Sequence, residues 1–400
     1  MSQYISAAQD MRDEITRLRH SLHTTPEIGL DLPRTQEKVL AALEGLPLEI
    51  STGSALTSVT AVLRGGRPGP AVLLRGDMDA LPVTERNDLP YISRNEGRMH
   101  ACGHDLHTAM LAGAAHLLAA RRDELAGDVV FMFQPGEEGC EGAKHMIEEG
   151  VLEAAGQRVV AAYGMHVVSA MLPPSVFSSR PGPLMAAADT FLVTVKGRGG
   201  HGSTPWRAAD PIPAACEIVL ALQTMVSRDF DVFDPVVVTV GAFQAGTADN
   251  VIPDDARFQA TFRTFSKENR ALLKRRAVEL AEGIAAAHGL RVETDFATGY
   301  PVTSNDGDET AFAGRAVDEL FGPGRFSVLP NPVMGAEDFS YVLENVPGAF
   351  VFLGACPPDR DPATAPYNHS PEAAFSDSVL PDGAALYASL AHTRLAAAAS

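Results

Sequence analysis

Cysteine, histidine and glutamate cluster in two short segments of this chain. HACGHDLH contains Cys102 and His104, and QPGEEG, which follows an apolar run, contains Glu137 and Glu138. A thiolate and an imidazole both suit a borderline divalent metal, and on extended backbone residues two apart project to one side. Paired carboxylates at a strand end are costly unless a cation lies beside them. Together the segments predict a metal centre with a catalytic carboxylate, as in a hydrolase.

Two further histidines extend this ligand set. His166 in YGMHV follows a predicted strand, and His369 in YNHSPEA follows a loop rich in Pro, Asp and Ala. With Cys102, His104 and Glu138 they supply enough ligands for two metals that share a bridge. A lone cysteine or histidine is more often buried or hydrogen-bonded than a ligand, so the prediction depends on this convergence. The histidines on or next to predicted helices are expected to have surface or packing roles: His20, His23, His107, His116, His145, His288 and His392.

Composition limits the class of protein. With 400 residues, 46% hydrophobic and 20% charged, the chain can bury large cores and is expected to form two domains. Its net charge of −18 argues against binding to nucleic acid or anionic membranes. The first residues, MSQYISAAQDMRDE, lack a targeting pattern, and no apolar run reaches membrane-spanning length. Four irregularly spaced cysteines predict free thiols, and a cytoplasmic location is expected.

The elements that must position these residues follow an α/β pattern. Short apolar strands alternate with helices in the first part of the chain, which favours a largely parallel sheet. The ligand segments fall at strand ends or in the loops that follow, where open α/β sheets commonly bind ligands. The predicted strands span 57–64, 71–75, 128–133 and 158–163, and the intervening helices span 105–121 and 140–149.

A second pattern begins after the proline-rich segment 172–183. Its order is β-α-β-β-α-β, that of a ferredoxin-like sandwich, and α/β signals resume from about residue 299. We therefore expect a discontinuous catalytic domain, residues 1–185 and 299–400, with an inserted domain at 186–298. The predicted elements of the insertion span 190–196, 208–228, 235–243, 256–264, 267–288 and 290–296.

Eight blocks, spread in order over nearly the whole chain, resemble those of one amidohydrolase family. This family contains hippurate hydrolases, N-acyl-amino-acid deacylases and indole-acetyl-amino-acid hydrolases, and it forms the Cys-containing branch of a larger group of dinuclear metallopeptidases and aminoacylases. The blocks are GDMDALP (76–82), MHACGHDLHTAML (99–111), FQPGEEG (133–139), GMHV (164–167), GRGGHGSTP (197–205), NVIP (250–253), MGAEDFSY (334–341) and YNHSPEA (367–373).

The resemblance implies a role for each site residue. It places Glu137 at the position of the general acid/base that assists a metal-activated water in amide hydrolysis. Where broader relatives carry H-x-D, this chain has Asp77 and Asp79, for which we expect an outer role, orienting a metal-bound histidine. The implied cofactors are two divalent ions, Zn(II) or Mn(II), with Co(II) or Ni(II) as alternatives. The implied ligands are Cys102, His104, Glu138, His166 and His369.

The inserted domain is expected to act as a lid and dimerisation domain. By resemblance, His201 polarises the developing oxyanion and reaches the active site from the partner subunit. Asn250 and Arg263 match positions that resemble substrate-carboxylate contacts, where an arginine gives a bidentate clamp. For Arg263 alone, a solvated charge on a strand face is an equal alternative. These features predict a homodimer, with a tetramer as the alternative, acting on a small N-acyl amino acid.

Three other functions fit parts of the sequence. The segment 197–202 literally fits G-x-G-x-x-G after a strand, but Pro205 delays the next helix and the expected acidic strand end is absent, which argues against a dinucleotide-dependent dehydrogenase. A dipeptidase or carboxypeptidase would use the same residues on a different substrate. A catalytically silent binding protein is disfavoured because every expected site residue is present. The acyl group and the amino acid of the substrate stay open.

Overall fold

The chain forms two compact units in a computed structural model, which describes residues 2–398. The first unit comprises Met1–Leu184, Ser304–Asn331 and Asp338–Ser400, and the second comprises Met185–Thr303 and Pro332–Glu337. None of the helices within residues 2–398 combines the length and the apolar character that crossing a bilayer requires.

The secondary structure elements are numbered in chain order. The α-helices are α1 (Ser2–Asp10), α2 (Arg12–Thr24), α3 (Pro33–Ala42), α4 (His104–Ala119), α5 (Gly142–Glu148), α6 (Pro211–Asp229), α7 (Lys267–Ala287), α8 (Gly307–Phe321), α9 (Ser340–Leu343) and α10 (Leu380–Ala398). Short 3-10 helices span Arg122–Glu124, Val151–Glu153, Pro205–Arg207 and Asp377–Val379.

The strands begin with β1 (Leu48–Thr52), β2 (Val59–Leu63), β3 (Arg67–Asp77), β4 (Ala126–Gln134), β5 (Ala161–Val168), β6 (Phe177–Ser179), β7 (Gly182–Met185) and β8 (Ala187–Lys196). They continue with β9 (Gly200–His201), β10 (Val237–Ala245), β11 (Val251–Ile252), β12 (Asp255–Thr264), β13 (Arg291–Thr298), β14 (Thr303–Asn305), β15 (Phe326–Val328) and β16 (Gly348–Gly354).

The first unit is built on an eight-stranded sheet of order β1-β2-β4-β3-β5-β16-β6-β15. Its four central strands, β4, β3, β5 and β16, pair in parallel, while β1 and β2 add antiparallel strands at one edge. The central strands are almost continuously apolar because both faces of a parallel sheet are covered. This arrangement confirms the predicted α/β class with a largely parallel sheet.

The carboxyl ends of the central strands bring the candidate site residues to one edge of this sheet. Strand β3 ends at Asp77 opposite Gln134, the last residue of β4. His166 lies inside β5 rather than after it, so the predicted strand 158–163 was wrong in both of its limits. The strand continues because its parallel pairing with β16 runs on to Val168, opposite Gly354.

A tight turn leads from the segment HACG into α4. Gly103 has φ +87°, and a Cβ atom there would lie 2.3 Å from Val167 Cγ2, so a glycine is needed at this position. His104 is the first residue of the helix, and Cys102 lies in the turn before it. The extended backbone expected at these two residues is therefore wrong, since the helix starts at His104. The turn, rather than a strand's alternation, brings the thiol and the imidazole close together.

The second unit contains a four-stranded antiparallel sheet of order β10-β12-β8-β13. Buried and partly exposed residues alternate along β8, as expected when one face of a sheet packs on helices. Helices α6 and α7 begin at capping side chains, Asp210 and Ser266, which accept backbone N–H groups. Their apolar faces share a core with Phe191, Phe258 and Phe262. This strand order confirms the predicted ferredoxin-like arrangement.

Candidate metal centre

Five side chains of the first unit converge to form a group that we call the cradle: Cys102, His104, Glu138, His166 and His369. Cys102 Sγ lies 3.3 Å from His166 Nε2 and 3.3 Å from His369 Nε2. His369 Nε2 lies 3.2 Å from Glu138 Oε1. The sequence predicted these five residues as ligands, and the structure brings all of them together.

Two buried nitrogen atoms of the cradle lack a hydrogen-bonding partner. Both belong to the ring of His104. The nearest carboxylate oxygens lie 3.4 Å from His104 Nδ1, on Asp79, and 3.7 Å from Nε2, on Asp77. Buried polar atoms are normally paired, so these atoms indicate that a component is needed to complete the site. Thiolate, imidazole and carboxylate donors fit a divalent cation.

The ligand atoms fall into two overlapping groups. Those of Cys102, His104 and His166 lie within 4.8 Å of one another, and those of Cys102, Glu138 and His369 do the same. Cys102 belongs to both groups, so its thiolate would be the ligand shared by two cations. The Nδ1–H of His166 donates to Val167 O at 2.8 Å, so its Nε2 lone pair faces the cradle.

The protein groups of the cradle favour protonated forms of two predicted ligands. Burial and the charge of Glu138 raise the pKa of the Cys102 thiol. Hydrogen bonds with Cys102 and then Glu138 raise the pKa of His369 from 6.5 to about 10. A metal needs a thiolate and a neutral imidazole, so cation binding must displace protons from this site.

Asp79 holds the loop that carries the paired glutamates. Its two carboxylate oxygens accept the backbone N–H groups of Glu137 and Glu138, each at 3.0 Å. Glu137 is only 5% exposed, and one of its oxygens lies within 4.8 Å of ligand atoms of His104 and Glu138. Asp79 therefore sets the position of the candidate base, Glu137. The expected role of Asp79, orienting a metal-bound histidine, did not include this contact with the backbone.

Asp77 forms its hydrogen bond with His107, a histidine that is not among the expected metal ligands. Its Oδ1 accepts the Nδ1–H of His107 at 2.6 Å, and its Oδ2 accepts Arg75 Nη1 at 2.6 Å. Burial opposes ionisation of Asp77, but the charges of Arg75, His104 and His107 together hold its pKa well below 3.8. His107, predicted to have a surface or packing role, is fully buried in this contact.

Three residues near the site were missed as functional candidates from the sequence. Arg75 donates from Nη2 to Asp338 at 2.9 Å, and Gln134 Nε2 donates to both oxygens of Asp338. Asp338 also accepts the backbone N–H of Ala143 at the start of α5. A charged residue inside the apolar run of β3, and an acidic residue within MGAEDFSY, were the available signals.

A second buried cluster, here called the anchor network, ties α2 to the start of α4. Arg19 donates to Asp105 at 2.7 Å and to Tyr91 at 2.7 Å. His23 donates from Nδ1 to Asp105 at 2.8 Å and from Nε2 to Glu85 at 3.1 Å. Burial opposes the charged forms of both His23 and Asp105. The charge of Asp105 nevertheless raises the pKa of His23, and the charge of Arg19 helps to hold the pKa of Asp105 far below 3.8.

In the second unit, His201 lies on an exposed loop beside Asn250. Strands β9 and β11 pair His201 with Val251, and the N–H of Gly202 donates to Asn250 O at 2.8 Å. The backbone N–H of Ser203 donates to His201 Nδ1 at 3.1 Å. Since an N–H group can only donate, the neutral ring carries its proton on Nε2 and presents a donor there.

Arg263 lies at the other end of the same unit's sheet. Its Nη1 donates to Thr261 Oγ1 at 2.6 Å and to Phe262 O at 3.0 Å. Burial lowers the pKa of Arg263, and the charge of Asp189 opposes this shift. None of the carboxylates in residues 2–398 forms an ion pair with the Arg263 guanidinium. A half-buried guanidinium without an ionic partner can receive an anion.

Comparison with known proteins identifies the relatives of this chain. The sequence pattern of Peptidase family M20/M25/M40 matches residues 73–393. "Thermostable carboxypeptidase 2" of Saccharolobus solfataricus is 37% identical over 96% of each chain. "N-acetylcysteine deacetylase" of Bacillus subtilis is 40% identical over 85% of this chain and 88% of its own. A solved structure described as a dinuclear metal-binding peptidase of the M20 family, also from Bacillus subtilis, is 35% identical with a TM-score of 0.83 and covers 97% of this chain and 99% of its own. These matches confirm the family resemblance predicted from the sequence.

Proposed function

The chain belongs to Peptidase family M20/M25/M40, and we propose that it is a metal-dependent amidohydrolase that cleaves the amide bond of N-acyl amino acids. The observation that carries this proposal is the cradle, in which the buried ring nitrogens of His104 form no hydrogen bond and the buried carboxylate of Glu137 lies nearby. The deacetylase relative, whose name states an N-acyl amino acid, supports the substrate class.

Two divalent cations, when bound, would polarise the amide carbonyl and lower the pKa of water from about 15.7 towards about 7. Cys102, His104, Glu138, His166 and His369 would hold them. A carboxylate oxygen of Glu137 accepts a proton from the attacking water and later donates it to the leaving amine nitrogen. Asp79 supports both steps because it fixes the backbone of Glu137 through a hydrogen bond of 3.0 Å.

The second unit would supply the groups that recognise substrate. Arg263 would pair with the substrate carboxylate, and Asn250 would add a hydrogen bond. His201 would donate its Nε2–H to the substrate carbonyl oxygen, which develops negative charge during attack. The proton lies on Nε2 because the Ser203 N–H donates to Nδ1. We further propose that this unit, residues 186–298 in the sequence prediction, acts as a lid and dimerisation domain.

The geometry of β12 supports a site shared between two copies. Asp255 pairs with Lys196 near the His201 loop, whereas Arg263 pairs with Ala188 at the far end of the strand. Eight residues of strand separate these ends, which corresponds to about 26 Å. A small N-acyl amino acid cannot span that distance, so His201 and Arg263 of one copy would serve different substrates. A homodimer in which His201 acts on the partner's substrate resolves this conflict.

The metal and the location are proposed on chemical grounds. A cysteine among the ligands favours Zn(II), while Mn(II), Co(II) and Ni(II) also suit mixed donor sets. A reduced thiol at Cys102 is consistent with a cytoplasmic location.

The proposal is tested by amine release from a panel of N-acyl amino acids. The panel contains hippurate, N-acetyl-methionine, indole-acetyl-alanine and a long-chain acyl derivative, each offered to metal-free protein reconstituted separately with Mn(II) and Zn(II). Metal-dependent release from at least one substrate is expected, and its pattern identifies the acyl preference. No release from any substrate by protein that has bound metal would overturn the deacylase assignment.

A carboxypeptidase is the second candidate, favoured by the name of the Saccharolobus relative. Both activities need a free substrate carboxylate, which Arg263 would bind in either case. They differ in the group on the other side of the amide bond. Hydrolysis of free dipeptides and short peptides at rates above those of the acyl panel would favour the peptidase.

A further inference from the structure

His107 lies at the back of the cradle, and the proposed chemistry assigns it no role. It lies on α4 one turn after His104 and is fully buried. Its Nδ1 lies 2.6 Å from Asp77 Oδ1, and its Nε2 accepts the backbone N–H of Val167 at 2.7 Å. A buried imidazole with two such specific contacts requires more explanation than apolar packing.

Both ring nitrogens of His107 are committed to protein groups. The Val167 N–H can only donate, so Nε2 carries no proton, and the Asp77 carboxylate accepts the proton on Nδ1. Asp77, His104 and His107 have potential ligand atoms within 4.8 Å of one another and therefore look like a further metal site. Because neither nitrogen of His107 is free, a cation at that site would have to break one of these two hydrogen bonds.

The contacts of His107 connect the elements that carry two cradle residues. Val167 directly follows His166 on β5, and the rings of His107 and His166 lie 4.8 Å apart in an edge arrangement. The rings of His107 and His104 lie 5.4 Å apart. Asp77, at the end of β3, is held in turn by Arg75 at 2.6 Å. The centroids of the His104 and His166 rings lie 6.1 Å apart, so the three rings form a triangle in which His107 is bonded to the two neighbouring strands, β3 and β5.

We propose that His107 is a positioning residue that sets the separation of His104 and His166 through its bonds to Asp77 and to the Val167 N–H. The inference rests on the proposed function, since it takes His104 and His166 as metal ligands. It adds a task for the second histidine of HACGHDLH. Groups that orient metal ligands typically change metal affinity by about 10–100-fold when they are removed.

Two conservative variants separate the two bonds of His107. In His107→Asn the side-chain amide nitrogen replaces Nδ1 and can still donate to Asp77, but the bond from Val167 is lost. In His107→Gln the amide oxygen reaches towards the Nε2 position and can still accept from Val167, but donation to Asp77 is lost. His116→Asn is the matched control. His116 lies on the same helix but away from the cradle, and its Nε2 donates to Ala42 O at 2.7 Å.

The full-length proteins are compared by titrating metal-free protein with Co(II), following the thiolate-to-cobalt absorption band and the stoichiometry. We expect His107→Asn and His107→Gln to bind the same number of cations as the wild type, about 10–100-fold more weakly, with an altered band. His116→Asn should match the wild type. Thermal unfolding of each metal-free variant shows whether the fold is retained.

Affinities and bands identical to those of the wild type would overturn the positioning role. Loss of one whole equivalent in both variants would also overturn it and make His107 a ligand. If the variants fail to fold, ¹⁵N spectra of histidine side chains in the Zn(II)-loaded wild type decide the question, because the proposal requires a proton on Nδ1 and no metal on Nε2 of His107. Failure of the wild type itself to bind metal would instead contradict the proposed function.

Discussion

The cradle and the anchor network are both buried clusters of charged and polar side chains in the first unit. Only in the anchor network do positive and negative side chains balance one another. In the anchor network, Arg19 and His23 face Asp105 and Glu85 within 3.1 Å. In the cradle, a thiol, a carboxylate and three imidazoles face one another, and buried nitrogens of His104 lack a hydrogen bond. Opposite charges therefore pair within the anchor network, although Asp105 Oδ1 is also buried without a hydrogen bond, whereas the cradle presents a donor set that suits divalent cations.

This difference shows how a functional site can be distinguished from a structural one. Burying an ion pair costs desolvation, which the anchor network offsets with directed hydrogen bonds between opposite charges. In the cradle, only His369 pairs with the thiol and the carboxylate of Glu138, and a bound cation would offset the rest of this cost. The two clusters are also adjacent in sequence, since His104 belongs to the cradle and Asp105 to the anchor network. The anchor network therefore holds the start of α4, where the cradle needs a fixed histidine.

The largest effect is expected for Glu137→Gln. The amide cannot accept the proton of the attacking water, so turnover should fall by about 10²–10⁴-fold. The variant should still bind metal because Glu137 is not among the proposed ligands. Amine release and metal content of wild type and variant measure both quantities. Undiminished turnover in the variant would remove Glu137 from the mechanism.

The next largest effect is expected in the anchor network. Arg19→Met leaves Asp105 buried without its main counter-charge, which should lower the free energy of unfolding by about 3–5 kcal/mol. Arg158→Met, which breaks an exposed ion pair with Glu153, is the control and should change it by no more than about 1 kcal/mol. Urea unfolding of the metal-free proteins gives both values. A loss below 1 kcal/mol for Arg19→Met would show that the network does not stabilise the fold.

A smaller effect distinguishes the cradle from the anchor network, because bound metal should stabilise the fold through the cradle only. With free metal 100-fold above its Kd, the wild type should gain about 2.7 kcal/mol in unfolding free energy for each cation bound. Cys102→Ser should lose most of this gain, because the proposed bridging thiolate is absent, while Arg19→Met should retain it. Equal gains for all three proteins, in thermal unfolding with and without Zn(II), would place the metal outside the cradle.

The smallest effect, counted for one pH unit and one proton, concerns pH. The pKa of His369 is raised from 6.5 to about 10, so its protonated ring stabilises the metal-free protein fully below about pH 6.5 and loses this contribution as pH rises through about 10. Metal binding has the opposite dependence, because it displaces the proton. Between pH 6 and 8, metal affinity should rise about tenfold per pH unit for each proton released. Calorimetric titration in buffers of different ionisation enthalpy counts these protons, and a pH-independent affinity would contradict the exchange.

Much of the fold was predictable from the sequence because its patterns are local. The alternation of β8, the long apolar runs of β3 and β4, and the capping residues of α6 and α7 all act within a few residues. The extent of β5 was not predictable, because its last residues are held by pairing with β16, nearly 190 positions later.

In the candidate metal centre, too, only features that are local in the sequence were predictable. Cys102, His104 and the paired glutamates lie close together in sequence and have distinctive chemistry, so their types predicted a metal site. The partners of Asp77 and Asp79 were not predictable from the sequence, since each is chosen by how a strand end meets a distant loop or helix. His107 was assigned to packing because a histidine on an apolar helix usually has that role. Only the position of Val167 reveals its second bond.

The metal content of the cradle is the most direct test of whether this chain is a dinuclear metallohydrolase. Metal-free wild type and a Cys102→Ser, His104→Ala double variant are dialysed against Zn(II) or Mn(II), and the bound metal per chain is measured by elemental analysis. We expect two cations in the wild type and loss of both in the double variant, with hydrolysis of N-acyl amino acids following the metal content. A wild type that retains no cation, or a double variant that retains both, would contradict this expectation.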